Sequence, residues 1–165
     1  MKDISFHFQG YPSQEKVARL MIRYGLKVLG GKVYCGTVEI SDSALGRAAV
    51  VDRRIVKSTV ERIESIEGLR EFFALLESTS LLVEVAPLMG WSALEIIPNN
   101  ARTPGILADV ATVISEAGIS IRQAIVDDPE LSDEPRLLVV TDSPVPAEYI
   151  PALRKCRGVR SLILH

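Results

Sequence analysis

Between Ser13 and Gly25 the apolar residues Val17, Leu20, Met21 and Tyr24 recur at i, i+3, i+4 and i+7, the single stripe of an amphipathic helix. Ser13 suits its N-cap and Gly25 its stop. The next stretch, KVLGGKVYCGTVEI, loses that period. Gly30, Gly31 and Gly36 punctuate β-branched and aromatic residues there, which predicts a small hairpin or an extended connector. Two helices follow closely. SDSALGRAA starts at Ser41 or Asp42 as cap, and RRIVKSTVERIES opens at a second cap, Asp52, with Val56, Val60 and Ile63 on one face. After Gly68, LREFFALLES predicts a short helix with Leu69, Phe72, Phe73 and Leu76 inward. TSLLVEVAPLMGW contains a Pro and a Gly-Trp, and it marks a boundary between a mainly helical domain, 1–90, and a second domain, 91–165.

The second domain alternates element types. SALEIIP predicts a strand and TPGILADVATVISEAG a helix, with Leu107, Val110, Ala111 and Ile114 as its inward stripe. ISIRQAIV and RLLVVTD predict strands joined by a polar tip, DDPELSDEP. PAEYIPALRKCRG then predicts a helix and VRSLILH a closing strand. The order β-α-β-β-α-β is the split βαβ, or ferredoxin-like, arrangement. The fold class expected for the whole chain is therefore α+β.

Composition narrows the function class. The chain has 165 residues, 47% hydrophobic and 24% charged, which describes a globular protein with a real core. No apolar run approaches the roughly 20 residues that span a bilayer. MKDISFHFQGYPSQ lacks an apolar stretch behind a basic start, so no secretory leader is expected. Cys35 and Cys156, isolated from one another, suit a reducing cytoplasm, which sets the expected location. His7 and His165 are the only histidines, so neither a metal site nor a cofactor is expected. No nucleophile–base arrangement emerges either, and the expectation is that the chain is not an enzyme. Net charge is −2 but uneven: residues 1–62 carry eleven Lys/Arg against six acids, 63–90 one against five, and 91–165 seven against ten. A basic head on an acidic remainder hints at a polyanion partner for the head.

That head holds the residue types of a helix-turn-helix over 42–60. Gly46 lets a second helix cross the first closely, and Leu45, Ala49, Val51, Val56 and Val60 are apolar where the two must share a core. The first residues of the second helix would face base edges and phosphates. They are Arg53, Arg54 and Lys57, with Ser58 alongside and Arg47 on the first helix. Arg suits bidentate contact with guanine and Lys contact with phosphate. The turn usually takes Gly where this chain has Val50, which predicts a longer or differently shaped turn. A plain helical hairpin with a solvated basic face is the competing reading.

At the first strand–helix junction of the second domain stands NNARTPGIL. Thr103 or Arg102 falls near the expected N-cap, Pro104 in the first helical turn, and Gly105 where a ligand can approach backbone closely. It has neither GxGxxG nor GxxxxGK[ST], so a phosphate cradle is a weak reading. Pro104-Gly105-Ile106-Leu107 at a helix start, with Ala117 to Ile121 leading into the second strand, resembles the ACT domain, an amino-acid-binding regulatory module, over about residues 92–165. The resemblance implies a ligand lip, often across a dimer interface, at Asn99, Asn100, Thr103, Gly105, Ile106 and, on the second strand, Ser120. Arg102 replaces an Asp common in that family and Ser120 an Asn often found there. Arg102 is added to the lip as a partner for a carboxylate.

The whole chain resembles predicted archaeal regulators of amino-acid metabolism, with a helical head and an ACT tail, more than it does the leucine-responsive feast/famine regulators. The resemblance implies a homodimer or higher homo-oligomer that binds duplex DNA and an amino-acid effector. The rival is a regulatory subunit that binds an amino acid and acts on a biosynthetic enzyme without DNA. Three features are set aside. Asp127, Asp128, Glu130, Asp133 and Glu134 do not match an EF-hand and read as a solvated tip. Cys156 reads as core and Trp91 as interdomain packing.

Overall fold

The computed structural model describes residues 4–132 and 134–165. It is α+β, with two antiparallel sheets, and it divides into two compact units, Met1–Ser80 and Leu81–His165. The division falls ten residues ahead of 90. Residues 81–91 go with the second unit because they have a core there: Val83 and Ala86 are buried against Ala93 and Val140.

In the first unit a 3₁₀ turn, Ile4–Phe8, precedes α1, Pro12–Arg23. The helix starts earlier than Ser13. Tyr11 is its N-cap and Pro12 its first residue, where a missing N–H is no loss. β1 (Lys27–Leu29), β2 (Lys32–Cys35) and β3 (Val38–Ile40) form a three-stranded antiparallel meander. Gly30 and Gly31 both have positive φ, 57° and 75°, and close β1–β2 as the two-residue turn that matches strand twist. α2 (Asp42–Ala49), α3 (Arg53–Ser65) and α4 (Glu67–Ala74) follow. Gly68 lies inside α4 rather than before it. Phe8, Val17, Met21, Val28, Val33, Leu45, Val56, Ile63, Leu69 and Phe73 make the core of this unit, and all are buried.

In the second unit β4 (Ala93–Pro98), α5 (Ile106–Glu116), β5 (Ile121–Val126), β6 (Leu137–Thr141), α6 (Ile150–Lys155) and β7 (Val159–Leu164) follow one another. The strands pair antiparallel in the order β5-β6-β4-β7, the order a split βαβ requires. Side chains alternate across a strand. Leu94, Ile96, Leu137 and Val139 therefore pack under Ile106, Val110, Ile114 and Leu153 of the helices. The α5 stripe differs from the expected one in its first turn. Ile106 is buried and Leu107 is exposed, because the helix is apolar on several sides and residues 106, 110 and 114 share the inner face. On the opposite sheet face Ala93 and Val140 meet Val83, Ala86 and Trp91. Trp91 thus packs within its own unit. The Arg122 guanidinium lies 3.9 Å above its ring, and the Leu82 N–H donates to Gln123 Oε1 at 2.9 Å.

Candidate functional site

The helix pair is built from two side-chain caps and one close approach. Ser41 Oγ accepts from the Ala44 N–H at 3.3 Å, and Asp52 Oδ1 accepts from the Arg54 N–H at 2.8 Å, each satisfying a donor that a helix start leaves orphaned. Between the helices Val50 adopts the left-handed conformation, φ 55° and ψ 52°, and its N–H reaches Arg47 O at 3.2 Å. It is the one non-glycine with positive φ among the described residues. The turn thus keeps the left-handed form a Gly would give, instead of lengthening as Val suggested. Tertiary fit overrides propensity here. A Cβ on Gly46 would stand 2.9 Å from Val51 O and 3.3 Å from Arg53 N, so the backbone of the turn lies directly on α2.

Helix α3 buries Val56, Thr59, Val60 and Ile63 and turns a polar face outward. Arg53, Arg54 and Lys57 are exposed on it, as is Arg47 at the end of α2. Arg54 is held: its Nε donates to Asp52 Oδ1 at 3.0 Å. That bond holds the Asp52 carboxyl below its ordinary value. Ser58 is engaged elsewhere. Its hydroxyl donates to Ile55 O at 3.0 Å and accepts from Gln14 Nε2 at 3.2 Å, half-buried against α1. Gln14 Oε1 also accepts from Arg62 Nε at 2.8 Å, and the Arg62 guanidinium lies 3.8 Å above the Tyr11 ring. Further along, Glu61 is exposed and Glu64 Oε1 accepts the Gly31 N–H at 2.9 Å. The outward face of α3 is therefore cationic in its first turn and a half and acidic beyond.

In the second unit Pro104 stands outside α5. The N-cap is Gly105, φ +91°, with no side-chain cap, and the helix begins at Ile106. Asn100 Oδ1 accepts from the Arg102 N–H at 2.9 Å, and Asn100 O from the Thr103 N–H at 3.0 Å, folding the loop back on itself. The Asn99 N–H donates to Gly158 O at 2.8 Å. Two guanidinium groups flank the helix start. Arg102 pairs with Glu130, and Arg157, whose Nη1 is 3.7 Å from a Cβ built on Gly105, faces Asp109 at 3.6 Å. Asn99, Asn100, Arg102 and Gly105 are exposed, Thr103 is half-buried and Ile106 is buried. Ser120 is not with them. Its N–H meets Asp142 Oδ1 at 3.3 Å, at the end of the sheet where Thr141 N–H bonds Ser92 O. The length of α5 separates it from the loop, about 16 Å at 1.5 Å per residue. Within one chain the seven lip residues are two places.

The sequence reading missed a charged cluster in the middle of the sheet. Glu95 on β4 is only 8% exposed, facing away from the helices. Arg136 Nη1 donates to its carboxylate, Arg136 Nη2 lies 3.2 Å from Glu134, and His165 Nε2 stands 3.5 Å from Glu95 Oε2. The signal available was a lone acid inside the apolar run ALEIIP. Elsewhere burial pushes the Cys156 thiol up, with Asp109 adding to the effect. The acidic tip is tied internally by the Arg136 N–H to Asp127 and the Glu130 N–H to Asp128, while Asp133 lies outside the described residues. Among the described residues no group of three or more His, Cys, Asp or Glu is placed to hold a metal ion. No helix among them is long and apolar enough to cross a membrane.

No family model matches the chain, and no curated protein does. Solved structures similar to it include a transcriptional regulator from Neisseria meningitidis in complex with L-Met. The match has 11% identity over 93% of this chain and 86% of that one, at a TM-score of 0.30. They also include a chain from the complex of the chemotaxis kinase CheA P2 domain with the response regulator CheY from Thermotoga maritima. Here identity is 16% over 46% of this chain and 95% of that one, at a TM-score of 0.37. Both scores fall below the level that establishes a shared fold.

Proposed function

We propose that the chain is an amino-acid-responsive transcriptional regulator: a helix-turn-helix head that binds duplex DNA, joined to an ACT-like tail that takes a small effector. The observation that carries it is the first turn and a half of α3. There an Asp52-capped helix start, pressed onto α2 through Gly46, turns Arg53, Arg54 and Lys57 away from the core. A helix presented this way suits the major groove, with base contacts from its N-terminal residues. The strand order of the second unit supports the ACT-like part, and the loop 99–105, flanked by Arg102 and Arg157, supports a carboxylate-bearing ligand at the start of α5. Arg102 reaches such a ligand by leaving Glu130. Ser120 joins the lip only from a second copy, so the reading includes a homo-oligomer. No catalytic step is part of it.

The test is a duplex titration on the full chain, with Arg54→Glu and Lys57→Glu beside wild type. Phosphate contacts make affinity fall steeply as salt rises, and each lost contact reduces the salt slope by about one. Wild type that binds no duplex in a salt-sensitive way would refute DNA binding. Co-purification with a biosynthetic enzyme would then favour the regulatory-subunit rival. A thermal-shift screen of the common amino acids at millimolar concentration tests the tail, since a ligand selective for the native state raises apparent stability. If none shifts the transition, the effector is not an amino acid.

A further inference from the structure

We infer that Asp52 is a positioning residue for DNA recognition: its carboxylate buttresses Arg54, so that the guanidinium offers its two outer amino groups to guanine as a fixed fork. The inference rests on the DNA-binding reading above and deepens it by assigning which cation reads sequence.

One carboxylate oxygen, Asp52 Oδ1, takes both the backbone N–H of Arg54 at 2.8 Å and its side-chain Nε at 3.0 Å. The same group therefore caps the helix and closes a ring with the arginine side chain. A guanidinium has five N–H donors, and with Nε engaged those on Nη1 and Nη2 remain. That pair matches O6 and N7 of guanine in the major groove. Arg54 is 87% exposed, so the fork stands clear of the protein. An arginine already tied to its helix start has less rotamer freedom left to lose when it meets a base.

The neighbours differ. Among the described residues no ion pair holds Arg53, Lys57 or Arg47, which are all exposed. These three suit phosphates, which demand charge but little orientation. Asp52 also acts against them, since a carboxylate beside the groove weakens attraction to any duplex regardless of sequence. The lowered carboxyl value of Asp52 keeps it ionised across the physiological range. One side chain thus raises discrimination and lowers indiscriminate affinity.

This double effect separates positioning from capping. Ser is as good an N-cap as Asp, so Asp52→Ser keeps the helix start and removes only the charge and the buttress. The full-length protein selects a duplex from a randomised pool, and fluorescence anisotropy then compares that duplex with a scrambled one over a range of salt. Asp52→Ser is expected to melt within about 2 °C of wild type. It should bind the scrambled duplex a few-fold tighter and lose about five- to tenfold of its preference for the selected one, at the lower end of a bidentate base contact. Asp52→Asn, which keeps an acceptor without the charge, should fall between. Arg54→Ala should lose preference to a similar degree, and adding Asp52→Ser to it should lose little more. If Asp52→Ser keeps its preference while Arg54→Ala loses it, Asp52 is a cap and nothing else. If the two losses simply add, the buttress is refuted. Wild type that binds no duplex in a salt-sensitive way removes the DNA reading, and the positioning role with it.

Discussion

Val50 sits in the left-handed region and is 79% exposed, and replacing it should stabilise the first unit. For an L-residue with a Cβ, that conformation costs about 1–2 kcal/mol, since Cβ crowds the following carbonyl. Almost no apolar contact is lost on truncation, because the isopropyl group faces water. Glycine removes the crowding but adds about 0.5–1 kcal/mol of backbone freedom to the unfolded chain. Val50→Gly should therefore gain about 0.5–1 kcal/mol. Val50→Asn, which tolerates the left-handed region without that loss, should gain at least as much. Val50→Ala keeps the Cβ and should change little. Urea denaturation followed by far-UV circular dichroism reads the difference, with an expected rise in midpoint of about 0.5 M for an m-value near 1–2 kcal/mol/M. Hydrogen exchange at the amides of Val50 and Val51 confines the effect to the turn. If Val50→Gly is neutral or destabilising while Val50→Ala matches Val50→Asn, the left-handed turn is not where the strain lies.

Three further outcomes follow from the same geometry. Gly46→Ala should destabilise the head by about 1–3 kcal/mol despite the better helix propensity of Ala, because its methyl would meet Val51 O at 2.9 Å; a thermal melt of the full chain reads it. The cap at Asp52 should weaken in acid. Its native carboxyl value is depressed by Arg54, so its contribution is complete above the ordinary value of 3.8 and is lost as pH falls through the lower native value. The stability gap between wild type and Asp52→Ala should shrink as pH falls below 3.8, and a constant gap would contradict this. Arg136→Ala should destabilise the second unit by about 1–3 kcal/mol, since it leaves Glu95 buried without its main partner. Replacing both by apolar residues of similar size should recover most of that loss, a comparison open to urea denaturation followed by Trp91 fluorescence.

What the sequence made legible was local. Ser41 and Asp52 declare helix starts because a short polar side chain bonds backbone two or three residues on, and no distant contact is needed. The β-α-β-β-α-β order was legible for the same reason, through periods of two and of three to four residues. The turn at Val50 was not, because its shape is imposed by how Gly46 lies on Val51 and Arg53 rather than by its own preference. Ser58 looked like part of the basic face, but its partner Gln14 stands 44 positions away in the chain. Trp91 looked like a boundary residue, yet the cation that covers it comes from Arg122 on β5. The lip suffered most. Loop and second strand adjoin in the sequence pattern, but a helix of eleven residues carries Ser120 to the far end of the sheet.

The loop at the start of α5 is bolted to the far edge of the sheet. Asn99 bonds Gly158, and a methyl on Gly158 would stand 3.0 Å from Ile106 and 3.4 Å from Thr103, so the corner between α6 and β7 fills the space beneath the loop. There is no slack at that joint. Gly158 leads directly into β7, which borders the sheet and pairs there with β4. The loop and the sheet's rim therefore share one joint, made by the Asn99–Gly158 bond and by Ile106 and Thr103 packed around Gly158.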